Sequence, residues 1–334
     1  MKKPFVSVVI PIERINDYAR ECLTHLGNLD YPDFEVLVFT TETVAEKFPR
    51  TRFIVNPELA GRPAEKRDLA LKYAKGEILA FIDDDAYPRK DWLKNAVGHF
   101  EDEQVAAVCG PGVTPLGDSL GQKVSGWVQA SRLGGANNTY RCLPQKKRLV
   151  DDYPSMNFIV RKSDFEKVGG FDSHFWPGED TKLCHDFVYG LNKKIVYDPQ
   201  VLVYHHRRDL WQPHLRQIGR YGLHRGHFAR ILPKTSRRLD YFIPSLFVLF
   251  LIGVPVLNFL ISHFPISNFQ YPVSNIYIST SALYFTLLLA TATWVYFKER
   301  NFKVALLTIP GIFITHIWYG LRFLQGFFSK KLKR

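Results

Sequence analysis

Gly76-Glu77-Ile78-Leu79-Ala80-Phe81-Ile82-Asp83-Asp84-Asp85 holds a short apolar run, Ile78 to Ile82, that stops abruptly at three adjacent carboxylates. An unbroken apolar run of this length reads as a strand buried on both faces of a parallel sheet. Open α/β sheets bind their ligands at the carboxyl ends of such strands. Three like charges at that position repel one another, and a divalent cation is the simplest reason to keep them. An all-oxygen site favours Mg²⁺ or Mn²⁺, ions that usually also bind substrate phosphates. The plainer reading is a solvated acidic turn ahead of the helix that begins near Asp91.

Working outward, Phe5 to Ile10, Phe34 to Phe39, Arg52 to Val55 and Val105 to Gly110 read as further strands. Helices are expected near Asp17 to Leu26 and over Ala64 to Ala74. Strands alternating with helices imply a Rossmann-like, doubly wound, mostly parallel sheet of the α/β class. Asn157 to Val160, Lys194 to Tyr197 and the alternating Val201 to His205 extend the strand set. Between them, the Gly-rich, basic stretch from Gly110 to Arg148 lacks clear periodicity and reads as a long loop or insertion over the site.

The carboxyl-terminal third changes solvent. Residues 241–264 and 271–297 contain no Asp, Glu, Lys or Arg, and each is long enough to cross a hydrocarbon core of about 30 Å. A third apolar segment, 304–328, carries His316 and Arg322 and is interrupted by Pro310-Gly311. It reads either as a span or as a re-entrant or interfacial segment. Lys234, Arg237 and Arg238 precede the first span, and Lys298, Glu299, Arg300 and Lys303 follow the second, whereas the linker at Pro265 to Gln270 is uncharged. The positive-inside rule puts the amino-terminal domain in the cytoplasm of a cell whose inner membrane holds a multi-pass protein. The tail Lys330-Lys331-Lys333-Arg334 wants the same side, which a simple third crossing would forbid. The expected organisation is therefore a catalytic domain over 1–208, an amphipathic interfacial helix with a basic collar over 209–238, and a membrane region over 239–334.

The opening Met1-Lys2-Lys3-Pro4 leads into a strand too short for a signal peptide. The four cysteines, far apart and without metal-type spacing, read as reduced thiols. A net charge of +12 raises the question of nucleic acid, but much of the excess lies between Arg207 and Arg238, directly before the first span. That position fits anionic lipid or a phosphate-bearing substrate, and no nucleic-acid partner is expected.

Taken together, Ser7-Val8-Val9-Ile10-Pro11, Gly61-Arg-Pro-Ala-Glu-Lys66-Arg67-Asp68, Phe81 to Asp85, Gly169-Gly170-Phe171-Asp172 and Gly178-Glu179-Asp180 resemble glycosyltransferase family 2, in the order that family uses. The resemblance covers residues 5 to about 226. It implies a GT-A fold, a nucleotide-sugar donor, and inversion at the anomeric carbon. It also implies that Asp85 binds the metal, with Asp83 a further ligand and His205 a candidate third. Pro11, Ile12, Glu13, Lys66, Arg67, Asp68, Asp83 and Asp84 would surround the donor. Asp180 takes the position of the catalytic base, with Glu179 and Asn157 on the acceptor side. A charged pair such as Lys66-Arg67 would ordinarily be a solvated helix face, and Glu179-Asp180 would ordinarily begin a helix.

Gln217-Ile218-Gly219-Arg220-Tyr221 resembles the Gln-x-x-Arg-Trp motif of polysaccharide synthases, with Tyr for Trp. At helical spacing Gln217, Arg220, Tyr221 and His224 share one face. Arg220 would then pair with the donor diphosphate, while Gln217 and Tyr221 contact the acceptor. One departure concerns the base: the family carries an acidic residue after its second strand, where this chain has Thr40-Thr41-Glu42, so both UDP and GDP donors stay open.

The expected activity is transfer from a nucleotide sugar, with Mg²⁺ or Mn²⁺, to a lipid-linked saccharide at the cytoplasmic membrane face, for cell-surface glycan assembly. A processive polysaccharide synthase and a polyprenyl-phosphate sugar synthase are the enzymatic alternatives. A catalytically silent membrane scaffold that retains nucleotide binding is the alternative of another class.

Overall fold

The computed structural model describes residues 3–263 and 270–332. Most of the uncharged linker, the last residue of the first expected span, and Lys333 and Arg334 of the basic tail lie outside the described residues. The chain begins with β1 (Val6–Pro11), α1 (Asp17–Leu26), β2 (Phe34–Thr40), β3 (Thr51–Val55), α2 (Pro63–Asp68) and α3 (Ala70–Tyr73). It continues through β4 (Ile78–Ile82), β5 (Ala86–Pro88), α4 (Trp92–Val97), β6 (Val105–Cys109) and β7 (Gly112–Val113). Next come α5 (Leu120–Ala130), α6 (Arg132–Gly135), β8 (Arg148–Val150), β9 (Asn157–Arg161), α7 (Lys162–Lys167), α8 (Glu179–His185), β10 (Lys194–Tyr197) and β11 (Val203–His205). The helices α9 (Gln212–Ile231), α10 (Pro233–Ser236), α11 (Leu239–His263), α12 (Gln270–Glu299) and α13 (Phe302–Phe328) follow.

Two compact units result. The first comprises residues 1–116 and 140–206, the second 117–139 and 207–334. The first is built on an eight-stranded sheet in the order β3-β2-β1-β4-β9-β6-β10-β8. Pairings β1–β2, β1–β4, β2–β3 and β6–β10 are parallel. β1, β4 and β6 are buried along their whole length, as their uninterrupted apolar runs require.

Several expectations are corrected. β9 lies antiparallel between β4 and β6, and an apolar run gives no sign of its direction. The helix expected over Ala64 to Ala74 is two short helices broken at Leu69. The stretch from Gly110 to Arg148 is not simply a loop: Ser119 and Gln122 form a capping box that starts α5. Its helices belong to the second unit. A second, three-stranded sheet in the order β5-β11-β7 joins segments far apart in sequence.

Asn157, expected on the acceptor side, has a different duty. It is fully buried at the start of β9. Its Nδ2 donates to the carbonyls of Gly110 (2.7 Å) and Val201 (2.8 Å), and its Oδ1 accepts from the Trp92 indole (2.9 Å). These bonds use the amide to knot three chain segments, leaving it no face toward a ligand.

In the second unit, α11, α12 and α13 are each long and apolar enough to cross a membrane, by length and composition. The third apolar segment is one continuous helix with Pro310 inside it. α9 and α13 run side by side on glycines. A Cβ at Gly222 would meet the Tyr319 carbonyl at 2.7 Å, and one at Gly226 would meet the Phe323 carbonyl at 2.0 Å. Close backbone approach of this kind is what small residues permit at helix contacts.

Replacing Asn157 with Ala leaves the Val201 carbonyl and the Trp92 indole N–H unpaired, while the Gly110 carbonyl keeps the Tyr153 hydroxyl at 2.6 Å. The variant is expected to lose about 3 kcal/mol or more of stability, read as a lower Tm against the parent chain.

Candidate active site

The carboxyl ends of β1 and β4 lie side by side in the first unit, where a doubly wound sheet opens its crevice. Asp83, Asp84 and Asp85 leave β4 there, and each has a different partner.

Asp83 turns to α2. Its Oδ1 accepts from the Arg67 guanidinium at 2.6 Å, and the same guanidinium reaches Glu179 Oε1 at 3.4 Å. Arg67 is 5% exposed and lies over the Phe171 ring, 5.6 Å from its centroid. Two carboxylates thus compensate a charge that has been removed from water. The buried Arg67 Nε has no hydrogen-bond partner among the described residues.

Asp84 accepts from Asn16 Nδ2 at 2.9 Å, while Asn16 Oδ1 caps α1 through the Ala19 N–H. Asp85 is buried and faces His205, with Oδ1 and Nε2 3.2 Å apart. The pairing of β11 with β5 causes this, since His205 lies opposite Ala86 and the His206 N–H donates to the Asp85 carbonyl. No group of three His, Cys, Asp or Glu able to hold a metal occurs among the described residues. The expected trio is therefore divided: Asp85 and His205 meet, and Asp83 belongs to Arg67. One carboxylate and one imidazole suit Mn²⁺ or a similar ion, whose remaining positions a diphosphate and water would fill.

Lys66 is also buried, contrary to the ordinary reading of a charged helix face. Its Nζ donates to the Ile12 carbonyl (2.6 Å) and to Glu13 Oε1 (2.7 Å). Pro11 ends β1, and the Glu13 carbonyl accepts from the Thr41 N–H and hydroxyl, so the unusual Thr40-Thr41 pair braces the loop after β1. Asp68 accepts from the Phe171 N–H at 2.8 Å. A Cβ on Gly170, at φ +83°, would come within 2.5 Å of that carboxylate. Burial pushes the Asp68 carboxyl up to about 7, although the Phe171 N–H and Arg67 pull the other way.

At the start of α8, Glu179 is buried and Asp180 half-buried. Glu179 Oε2 accepts from the Gly178 N–H, and Asp180 Oδ1 from the Thr181 N–H, both within the first turn where acidic side chains favour the helix dipole. Gln217, Arg220 and Tyr221 lie on α9 of the second unit, with Arg220 and Tyr221 exposed. Sequence reasoning missed Asn16, readable only as a helix cap, and Phe171, whose ring underlies Arg67.

Residues 7–169 match the family described as glycosyl transferase family 2. This domain belongs to that family. Asp83 to Asp85 fall inside the matched stretch, and Asp180 and His205 beyond it. The pre-mycofactocin glycosyltransferase of Mycobacterium tuberculosis is 27% identical over 220 residues, 65% of this chain and 46% of the relative, so the chain spans less than half of that protein. A Methanococcus voltae protein, dolichyl N-acetyl-alpha-D-glucosaminyl phosphate 3-beta-D-2,3-diacetamido-2,3-dideoxy-beta-D-glucuronosyltransferase, is 21% identical over 274 residues, 77% of this chain and 83% of its own. The solved mannosyltransferase PcManGT of Pyrobaculum calidifontis, in complex with GDP-Man and Mn²⁺, has the same GT-A fold. It aligns with a TM-score of 0.52 at 19% identity over 95% of this chain and 88% of its own.

Two predictions follow from these contacts. Arg67→Met strands Asp83 and the buried Glu179 and is expected to cost about 3 to 5 kcal/mol, measured by chemical unfolding, with Arg67→Lys recovering only part. Asp68 titrates near 7 when folded and at an ordinary carboxyl value of 3.8 otherwise, so the folded state holds its proton longer. Stability from this group is therefore greatest below about pH 4 and declines as pH rises toward 7. Asp68→Asn should gain stability relative to the parent over that window, with the difference level above it in thermal unfolding.

Proposed function

We propose that the chain is an inverting glycosyltransferase that moves a sugar from a nucleotide-diphosphate donor onto a lipid-linked saccharide at the cytoplasmic face of a membrane. The observation that carries this reading is the Asp85–His205 pair, 3.2 Å apart at the mouth of the crevice, beside a carboxylate that Arg67 ties to the helix bearing Asp180. A divalent cation held by Asp85 and His205 would neutralise charge on the departing nucleotide diphosphate.

The remaining work falls to the chain itself. The loop Pro11 to Glu13, braced by Lys66, forms one wall for the nucleotide. Asp83 and Asp84, held by Arg67 and Asn16, are oriented for ribose or bound water. Asp180 takes the acceptor hydroxyl proton as that oxygen attacks the anomeric carbon and the bond to diphosphate breaks on the opposite face. One displacement inverts the centre. Arg220 and Tyr221, exposed on α9, are assigned to diphosphate and acceptor sugar.

A lipid-borne acceptor is supported by the apolar helices and by the Methanococcus voltae relative, whose name specifies a dolichyl phosphate sugar. The nucleotide is UDP or GDP.

Asp180→Asn is expected to lower turnover by about 10²- to 10⁴-fold while leaving nucleotide-dependent thermal stabilisation in Mn²⁺ intact. Full parental activity in this variant would remove Asp180 from the base role. Purified protein given radiolabelled UDP- or GDP-sugars and a lipid-linked saccharide should place single sugars in the organic phase. Long polymer in the aqueous phase would identify a processive synthase instead.

A further inference from the structure

α9 and α13 are joined along their length in the second unit. His214 Nε2 meets Thr315 Oγ1 at 2.9 Å, the Trp318 indole donates to the Leu215 carbonyl at 2.9 Å, and Arg230 donates to the Phe327 and Ser329 carbonyls, each at 3.1 Å. The contacts advance in the same direction on both helices, so the two run parallel from about Thr315 to Ser329. α9 carries Arg216, Arg220, Arg225 and Arg230, and a helix so charged does not enter a hydrocarbon core. Whatever depth α9 keeps, the carboxyl-terminal half of α13 keeps with it.

The other end of α13 is held in the same way. Glu299, just before the turn into α13, accepts from the Trp127 indole at 2.9 Å and pairs with Lys123 at 3.1 Å, both on α5. Farther along, His316 Nε2 meets the Leu133 carbonyl at 2.9 Å.

The apolar partners agree. α11 and α12 pack antiparallel through Phe247 against Tyr284 and Phe250 against Tyr277, so the start of α11 and the end of α12 emerge on one side. α13 begins beside the end of α12 and finishes with Phe323 and Phe327 against Phe242, near the start of α11. Both ends of α13 therefore lie at the same side of the two-helix hairpin.

We propose that α13 lies along the membrane surface rather than crossing it, so that only α11 and α12 span. The face of α13 turned from α5 and α9 carries Leu306 (52% exposed), Leu321 (42%) and Phe328 (76%), which seat it in the interfacial layer of the lipid. Lys330, Lys331 and the exposed Arg216 complement anionic headgroups. The basic tail is thereby returned to the side of the Glu299–Asn301 turn.

The test uses the full chain, whose four native cysteines are buried. Arg300→Cys and Lys331→Cys, both at exposed positions, are labelled separately in sealed vesicles with a membrane-impermeant maleimide. Both thiols are expected to react from the same side. Reaction from opposite sides overturns the proposal, as does a Lys331→Cys thiol that reacts from neither side until detergent is added, because the proposal keeps that position in water. Nitroxides at Leu306→Cys and Leu321→Cys, in vesicles of phosphatidylethanolamine and phosphatidylglycerol, give an independent reading. Equal, shallow depths support an in-plane helix, whereas depths differing by about 22 Å, the rise of fifteen helical residues, would establish a crossing.

Discussion

The buried guanidinium of Arg67 is the constraint on which the rest of the candidate site depends. It draws Asp83, at the end of a central strand, and Glu179, at the start of α8, to a single planar group 5.6 Å above the Phe171 ring. A buried charge of either sign is costly alone, and here each side compensates the other. The geometry follows from that necessity: α2 must present Arg67 inward, and Asp83 is drawn from the neighbouring aspartates toward it. Glu179 must turn into the protein, which leaves Asp180, the next residue of the same helical turn, half-exposed.

Much of this architecture was legible in the order of residues. Apolar runs bounded by turn residues marked β1, β4, β6 and β10 to within a residue, because strands buried on both faces are mostly apolar. Strand direction was not legible, since β9 has the same composition whichever way it runs. The meeting of Asp85 with His205 was expected only from resemblance. Its physical cause is the β5–β11 pairing between segments more than a hundred residues apart, and no local pattern encodes that register. Lys66 and Arg67 look like a solvent face in sequence because their partners, Ile12, Glu13, Asp83 and Glu179, are all distant. Asn157 shows a duty that no local pattern reveals: its amide ties two backbone carbonyls and an indole from distant segments.

The second unit obeys different rules. Glycines at 219, 222, 226 and 326 allow α9 and α13 to approach so closely that a methyl group would strike backbone or indole atoms. Polar side chains inside this packing are satisfied in place, as where His214 bridges the Ser125 and Thr315 hydroxyls and joins three helices. Loss of either hydroxyl would leave a buried imidazole nitrogen unpaired, a cost that favours one arrangement of these helices over nearby alternatives.

The excursion of residues 117–139 into the second unit has a consequence for the order in which the molecule can be assembled during synthesis. Val124 and Val128 of α5 close a core with Leu288, Val295, Val304, Ala305 and Ile312, all from the last two long helices. A ribosome releases α5 well before any of those partners exists, and the sheet strands β8 to β11 are made in the interval. The chain of the first unit is therefore complete while Val124 and Val128 of α5 still wait for their cover. For that period the nascent protein offers a greasy, lipid-seeking or chaperone-seeking surface, and the last two long helices remove it.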